Sequence, residues 1–260
     1  MTAPILQSRL PFASWMDPKL ARLPGILPIE GEDWLRVDDA FAGQMAERDR
    51  LFAERPQLVH GLLDSARSAA EELYAVVLER LGRTAGYQVE ADRVRRPDGV
   101  TVPLDPSQPM ATLGRLVQED LCLMEKQGEE HVLTAAALCF PASWWLPEKL
   151  GRPLLGIHLP VREYDGDLAK RVQRLFDAIR PEQPLWRANA LVYRDPTLHQ
   201  PRREGDPRTD RRGGSYVRSE RQCLLRLPES RAVVFSIHTY VVDIASLSPE
   251  EFAGLEEARL

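Results

Sequence analysis

Residues 215–244 read "SYVRSERQCLLRLPESRAVVFSIHTYVVDI". Two runs rich in Val, Ile, Leu, Tyr and Phe flank the short polar turn "PESR", residues 228–231. A turn that short joins antiparallel neighbours, so the pattern predicts a β-hairpin. Side chains alternate between the faces of a strand. Arg218, Glu220 and Gln222 therefore share one face, and Ser219, Arg221 and Cys223 the other. In the second run Val233, Phe235, Ile237 and Val241 fall on one side, with Val234, Ser236, His238 and Tyr240 opposite. His238 reads as facing either water or a polar pocket, with water favoured.

Upstream, "LWRANALVY" at 185–193 is a third strand, and "HVLTAAALCF" at 131–140 a buried one ended by Pro141. Between them lies an irregular, proline-rich connector, 141–161, with adjacent Trp144 and Trp145. The helix "DLAKRVQRLFDAI" follows, with Leu168, Val172, Leu175, Phe176 and Ile179 on one face and Pro181 as a stop. Strand, connector, helix and three antiparallel strands make an α+β arrangement of the PAS-like kind, with helices on one side of the sheet. The N-terminal part adds a helix over 58–82 and a second over 110–128, striped by Leu113, Leu116, Val117, Leu121 and Met124. Residues 1–45 read as an ordered extension wrapping the core. The tail opens with Ser248, Pro249 and Glu251, a capping-box signature. The expected division is an N-terminal helical extension over 1–128, a PAS-like core over 129–245 and a helical tail over 246–260.

The 260 residues carry a formal charge of −5 and are 43% hydrophobic. That balance argues against a nucleic-acid-binding surface and suits a globular core. No apolar run is long enough to cross a membrane, and the start lacks a secretory-signal pattern, so a soluble cytoplasmic protein is expected. Cys122, Cys139 and Cys223 are far apart and form no metal or disulfide pattern, so they read as small buried hydrophobes. Adjacent Glu119 and Asp120 read as solvated or capping groups. No P-loop, G-x-S-x-G or G-x-G-x-x-G occurs. Taken alone, His158 in "GIHLPV" reads as a packed structural histidine. Arg218 and Arg221, two arginines bracketing a glutamate on an apolar strand, need partners if buried. Two are open: an internal ion pair stitching the sheet to the N-terminal extension, or a ligand's carboxylate.

Four stretches, "LVQEDLCLME", "AAALCFPASWWLPEKLGRPLLGIHLPV", "WRANALVY" and "VRSERQCLLRLPESRAVVFSIHTYV", resemble in wording and order the haem-dependent oxidative N-demethylase α-subunit-like family. The resemblance covers roughly residues 25–245. It implies a PAS-like domain that binds haem b and uses O₂ to demethylate a small secondary amine, releasing a primary amine and formaldehyde. Electrons would come from NADPH through flavin and iron–sulfur centres on partner reductase subunits. Carried over, His158 is the expected iron ligand, a role neutral imidazole fills in other haem proteins. Arg218, Arg221 and Gln222 are expected around the cofactor, and Glu220 at the substrate ammonium. Two positions depart from the family's pattern. Ala190 replaces the tryptophan of R-x-N-W, which is expected to reshape the pocket, and His238 stands where an arginine is expected. The alternative is a non-catalytic haem or small-ligand sensor of the same fold.

Overall fold

A computed structural model describes residues 3–21, 25–158, 166–207 and 213–258. Its centre is a seven-stranded antiparallel sheet. In chain order the ten strands are β1 (Leu27–Pro28), β2 (His60–Leu62), β3 (Gln88–Val89), β4 (Arg93–Arg95), β5 (Thr101–Pro103), β6 (Asp120–Gln127), β7 (Glu130–Ala137), β8 (Leu185–Tyr193), β9 (Tyr216–Arg226) and β10 (Val233–Asp243). The large sheet runs β1-β8-β9-β10-β6-β7-β2, and β3–β5 form a small separate one. The expected hairpin is β9–β10, registered from Tyr216↔Asp243 to Arg226↔Val233. Its last strand lies beside the early strand β6, which closes the α+β, PAS-like order.

Nine helices complete the described chain: α1 (Pro18–Ala21), α2 (Phe41–Glu54), α3 (Pro56–Val59), α4 (Arg67–Leu81), α5 (Pro109–Gly114), α6 (Leu146–Lys149), α7 (Leu154–His158), α8 (Gly166–Ala178) and α9 (Pro249–Glu257). They cover the sheet from two sides. On the back, α4 and α5 bury Leu73, Val77, Leu81 and Leu113 against Leu121, Leu123, Cys223 and Val234 of the strands. On the front, the connector helices set Leu146, Leu154, Ile157 and Phe176 against Cys122, Met124, Leu224, Val233 and Ile237. Each side removes several large apolar side chains from water, at roughly 1.5–3 kcal/mol apiece.

Two expected helices are corrected. The run 110–128 is not one helix: α5 ends at Gly114, and Asp120–Gln127 is strand β6. Leu121 and Leu123 pack behind it and Cys122 and Met124 in front. A short run buried on both faces carries no period-2 signature, so spacing alone mimics a helix. Gly128, the last residue of that run, sits at φ 63° in the two-residue turn to β7. The helix expected over 58–82 begins only at Arg67, because His60–Leu62 pair with Ala135–Ala137 of β7 as an edge strand. The capping box of α9 is present, Ser248 accepting from the Glu251 amide and Glu251 from the Ser248 amide. No described helix is long and apolar enough to cross a membrane.

Candidate ligand site on the front of the sheet

The register fixes which side chains are neighbours. On the front face Leu191, Arg218 and Val241 form one row across β8, β9 and β10. Asn189, Glu220 and Thr239 form the next, and Arg187, Gln222, Ile237 and Asp120 the one after, reaching β6. Below them Leu185, Leu224, Phe235 and Cys122 open the apolar zone under α6–α8. The front is thus a polar floor continuous with an apolar one.

Glu220 is the hub of the polar rows. Asn189 Nδ2 donates to its Oε2 at 3.3 Å, and Gln222 Nε2 donates to the same oxygen at 3.0 Å. The Glu220 amide donates back to Asn189 Oδ1 at 3.2 Å. Among the described residues Oε1 accepts no hydrogen bond; Arg218 Nε is 3.7 Å away. Arg218 is otherwise occupied. Its Nη1 donates to the Leu198 carbonyl at 3.0 Å and its Nη2 to the Phe140 carbonyl at 2.6 Å. Those bonds tie the strand to the segments on either side of it, leaving only the Nε edge toward Glu220. Thr239, directly across from Glu220, is buried, and its hydroxyl has no partner among the described residues.

Arg187 differs from Arg218 and Arg221, whose Nη atoms are bonded. Among the described residues it makes no hydrogen bond, its Nε is buried, and no carboxylate lies within ion-pairing distance. Burial lowers its pKa from the ordinary guanidinium value, and Glu220 supplies the opposing charge. Arg187 stands in the stretch "WRANALVY". Its place on the floor is not legible there, because the β8–β9 register, which sets it opposite Gln222, is not written in either strand alone.

The expected cofactor residues do not all meet. Arg218, Glu220 and Gln222 share the floor, as alternation requires. Arg221 lies on the back face. Its Nη1 donates to the Trp34 carbonyl at 3.1 Å, its Nη2 reaches the Asp33 carbonyl and carboxylate at 2.5 and 3.2 Å, and its guanidinium stacks over Trp186 at 5.1 Å. It holds the N-terminal extension to the sheet, the stitching alternative raised for these arginines. His158 ends α7, whose Ile157 packs into the front core. The His158 side chain lies outside the described residues. No cluster of three or more metal-ligating side chains occurs among the described residues.

Three further expectations change. Ala190 faces the back, in a cluster with Leu10, Val217 and Tyr240 and with Phe12 and Trp15 packed against it. The missing tryptophan therefore leaves the floor untouched; the N-terminal arm covers that place instead. His238 does not face water. It is buried on the back, with Nδ1 2.9 Å from Glu119 Oε1 and Nε2 3.0 Å from Asp38 Oδ2. Burial works against its charge, but the two carboxylates prevail and raise its pKa to about 9. Glu119 and Asp120 are buried partners rather than solvated groups. Asp120 pairs with Arg48 at 2.7 Å and accepts from the amides of Cys139 and Phe140 at 2.6 and 2.9 Å. The three cysteines are free and buried, as expected.

An antiparallel sheet with a helical connector over one face, and an incompletely paired polar floor beneath it, defines an α+β protein of PAS-like architecture. The comparison with known families is specific. The family model described as haem-dependent oxidative N-demethylase, alpha subunit-like, matches residues 25–258, and the chain belongs to that family.

Proposed function

We propose that the protein is a haem b-dependent oxygenase component that oxidatively demethylates a small secondary amine, yielding a primary amine and formaldehyde. Family membership supports the haem-dependent oxidative class. The observation that carries the reading to this site is Glu220, a nearly buried carboxylate whose Oε1 accepts no hydrogen bond among the described residues.

The floor fits a haem on chemical grounds. Arg187 and Arg218 face Glu220, and Asp120, the other carboxylate of these rows, is taken by Arg48, so the rows carry surplus positive charge beside apolar Ile237 and Phe235. A flat apolar group bearing carboxylates suits that combination. His158, on the connector, would hold the iron. When bound, the haem supplies the oxidative chemistry toward O₂, with electrons from a reductase partner carrying flavin and iron–sulfur centres.

The chain's own residues do the rest. Glu220 receives the substrate ammonium on Oε1, while Asn189 and Gln222 hold Oε2 and so fix the carboxylate's plane. Arg218, anchored on two carbonyls, lies beside Glu220 without capping it, because its Nε stays 3.7 Å away. The connector's apolar residues keep water from the floor, which strengthens the ammonium–carboxylate attraction.

The test is amine-stimulated O₂ consumption by the haem-loaded, chemically reduced protein, wild type beside Glu220→Gln. The substitution keeps the shape and removes the charge. A rise in amine KM of about tenfold or more is expected, the scale of one charge-assisted hydrogen bond. An unchanged KM contradicts the role of Glu220. No amine-stimulated turnover in the wild type contradicts the enzymatic reading and favours a sensor.

A further inference from the structure

Glu220 accounts for a cation; nothing so far accounts for Arg187. A guanidinium has five donors and is charged at any working pH, so leaving one half-buried and unpaired is costly. Among the described residues its guanidinium makes no hydrogen bond, although its Nε is buried. The other arginines of the sheet show what the fold does when it needs only structure. Arg218 is tied to two carbonyls, Arg221 to the 33–34 segment, and Arg226 to the carbonyls of Ile179, Phe176 and Arg231. Among the described residues Arg187 has no such anchor.

Its position is also specific. It lies directly across from Gln222 on the front face, one row from Glu220. Diagonal neighbours of this kind sit about 7–8 Å apart at Cα, close enough for two ends of one small ligand to touch both. Its nearest charge of opposite sign, Glu220, already holds Asn189 and Gln222. Moving Arg187 onto Glu220 would close the floor on itself, and the structure keeps them apart.

We propose that Arg187 is the carboxylate-binding residue of the front-face site, making the site two-signed, with Glu220 for a cation and Arg187 for an anion. The proposal rests on the reading of the front face as the ligand site. The carboxylate has two chemical sources: a haem propionate, or an acidic group on the amine itself, as in an N-methyl amino acid. A planar fork suits either, bidentately.

Two arms separate the sources. In the first, wild type, Arg187→Gln and Arg187→Lys are titrated with haemin and with haemin dimethyl ester, which lacks free propionates, and followed by the Soret band. In the second, the same proteins are titrated calorimetrically with N-methylglycine and with dimethylammonium. Arg187→Gln removes an unpaired half-buried charge, so its melting temperature should equal or exceed the wild type's and keep the comparison sound. A loss of ten- to a hundredfold for haemin but not its ester, partly restored in Arg187→Lys, assigns the propionate. A similar loss for N-methylglycine but not dimethylammonium assigns the substrate carboxylate. If neither discrimination depends on Arg187, the proposal is overturned, even where Glu220→Gln still weakens amine binding. If Glu220→Gln changes nothing while Arg187→Gln does, it is the amine reading of Glu220 that falls.

Discussion

His238 makes the sharpest stability prediction. It lies fully buried between Glu119 and Asp38, and the network continues from there. The Arg36 amide donates to Glu119, Gln118 and Gln7 donate to Asp38, and Gln44 and Gln7 reach the Thr239 carbonyl. The imidazolium thus binds the N-terminal extension to β10. Its pKa rises from 6.5 to about 9 on folding. A group raised in this way stabilises fully below its unfolded pKa and loses that contribution as pH climbs through the folded one. The full shift corresponds to about 3 kcal/mol, of which about 2 kcal/mol disappears between pH 6.5 and 8.5. Burial also raises the pKa of the three thiols, Cys139 and Cys223 to about 12. Their destabilising effect sets in only above about pH 8.5 and is shared by any His238 variant. Urea unfolding at several pH values, wild type beside His238→Gln, measures the difference. The wild type should lose about 2 kcal/mol more than the variant over that window. Equal pH dependence in the two proteins would refute the charged-histidine account.

The same network is sensitive to acid, because Asp38 is held down at about 2, and its contribution vanishes as pH falls from about 4 toward 2; acid titration of Asp38→Asn should lack that phase. Arg48→Ala leaves Asp120 buried without its ion pair and should destabilise by about 3–5 kcal/mol in denaturant melts. Gly114→Ala places a Cβ about 2.3 Å from the Phe52 ring, so calorimetry should show overpacking of about 1–3 kcal/mol. Ser248→Ala removes the α9 capping box and should lower stability by about 1 kcal/mol.

Much of this architecture was legible because the last three strands are long runs rich in β-branched and aromatic residues, two of them joined by a short polar turn. Alternation alone separated Arg218, Glu220 and Gln222 from Arg221, and the structure keeps that separation. β6 was not legible, since Leu121–Met124 are buried on both faces and their spacing matches a helix as well as a strand. The reversal at His238 has a different origin. Its partners, Glu119 and Asp38, lie 119 and 200 positions away along the chain, and no local pattern reports a pair closed over that distance. Arg187 was visible as a residue but not as a site, because its distinguishing property is a missing partner. Absence of pairing becomes apparent only once every neighbour has been placed. Ala190 shows the converse: its departure from the family pattern drew notice, yet its face belongs to the N-terminal arm.

The measurement that tests the central claim most directly is an ultraviolet–visible spectrum of the protein reconstituted with haem, wild type beside His158→Ala. A sharp Soret band in the wild type that shifts or disappears in His158→Ala is the predicted result, and identifies the connector histidine as the iron's ligand. Identical Soret bands in the two proteins, or none in the wild type, would contradict it.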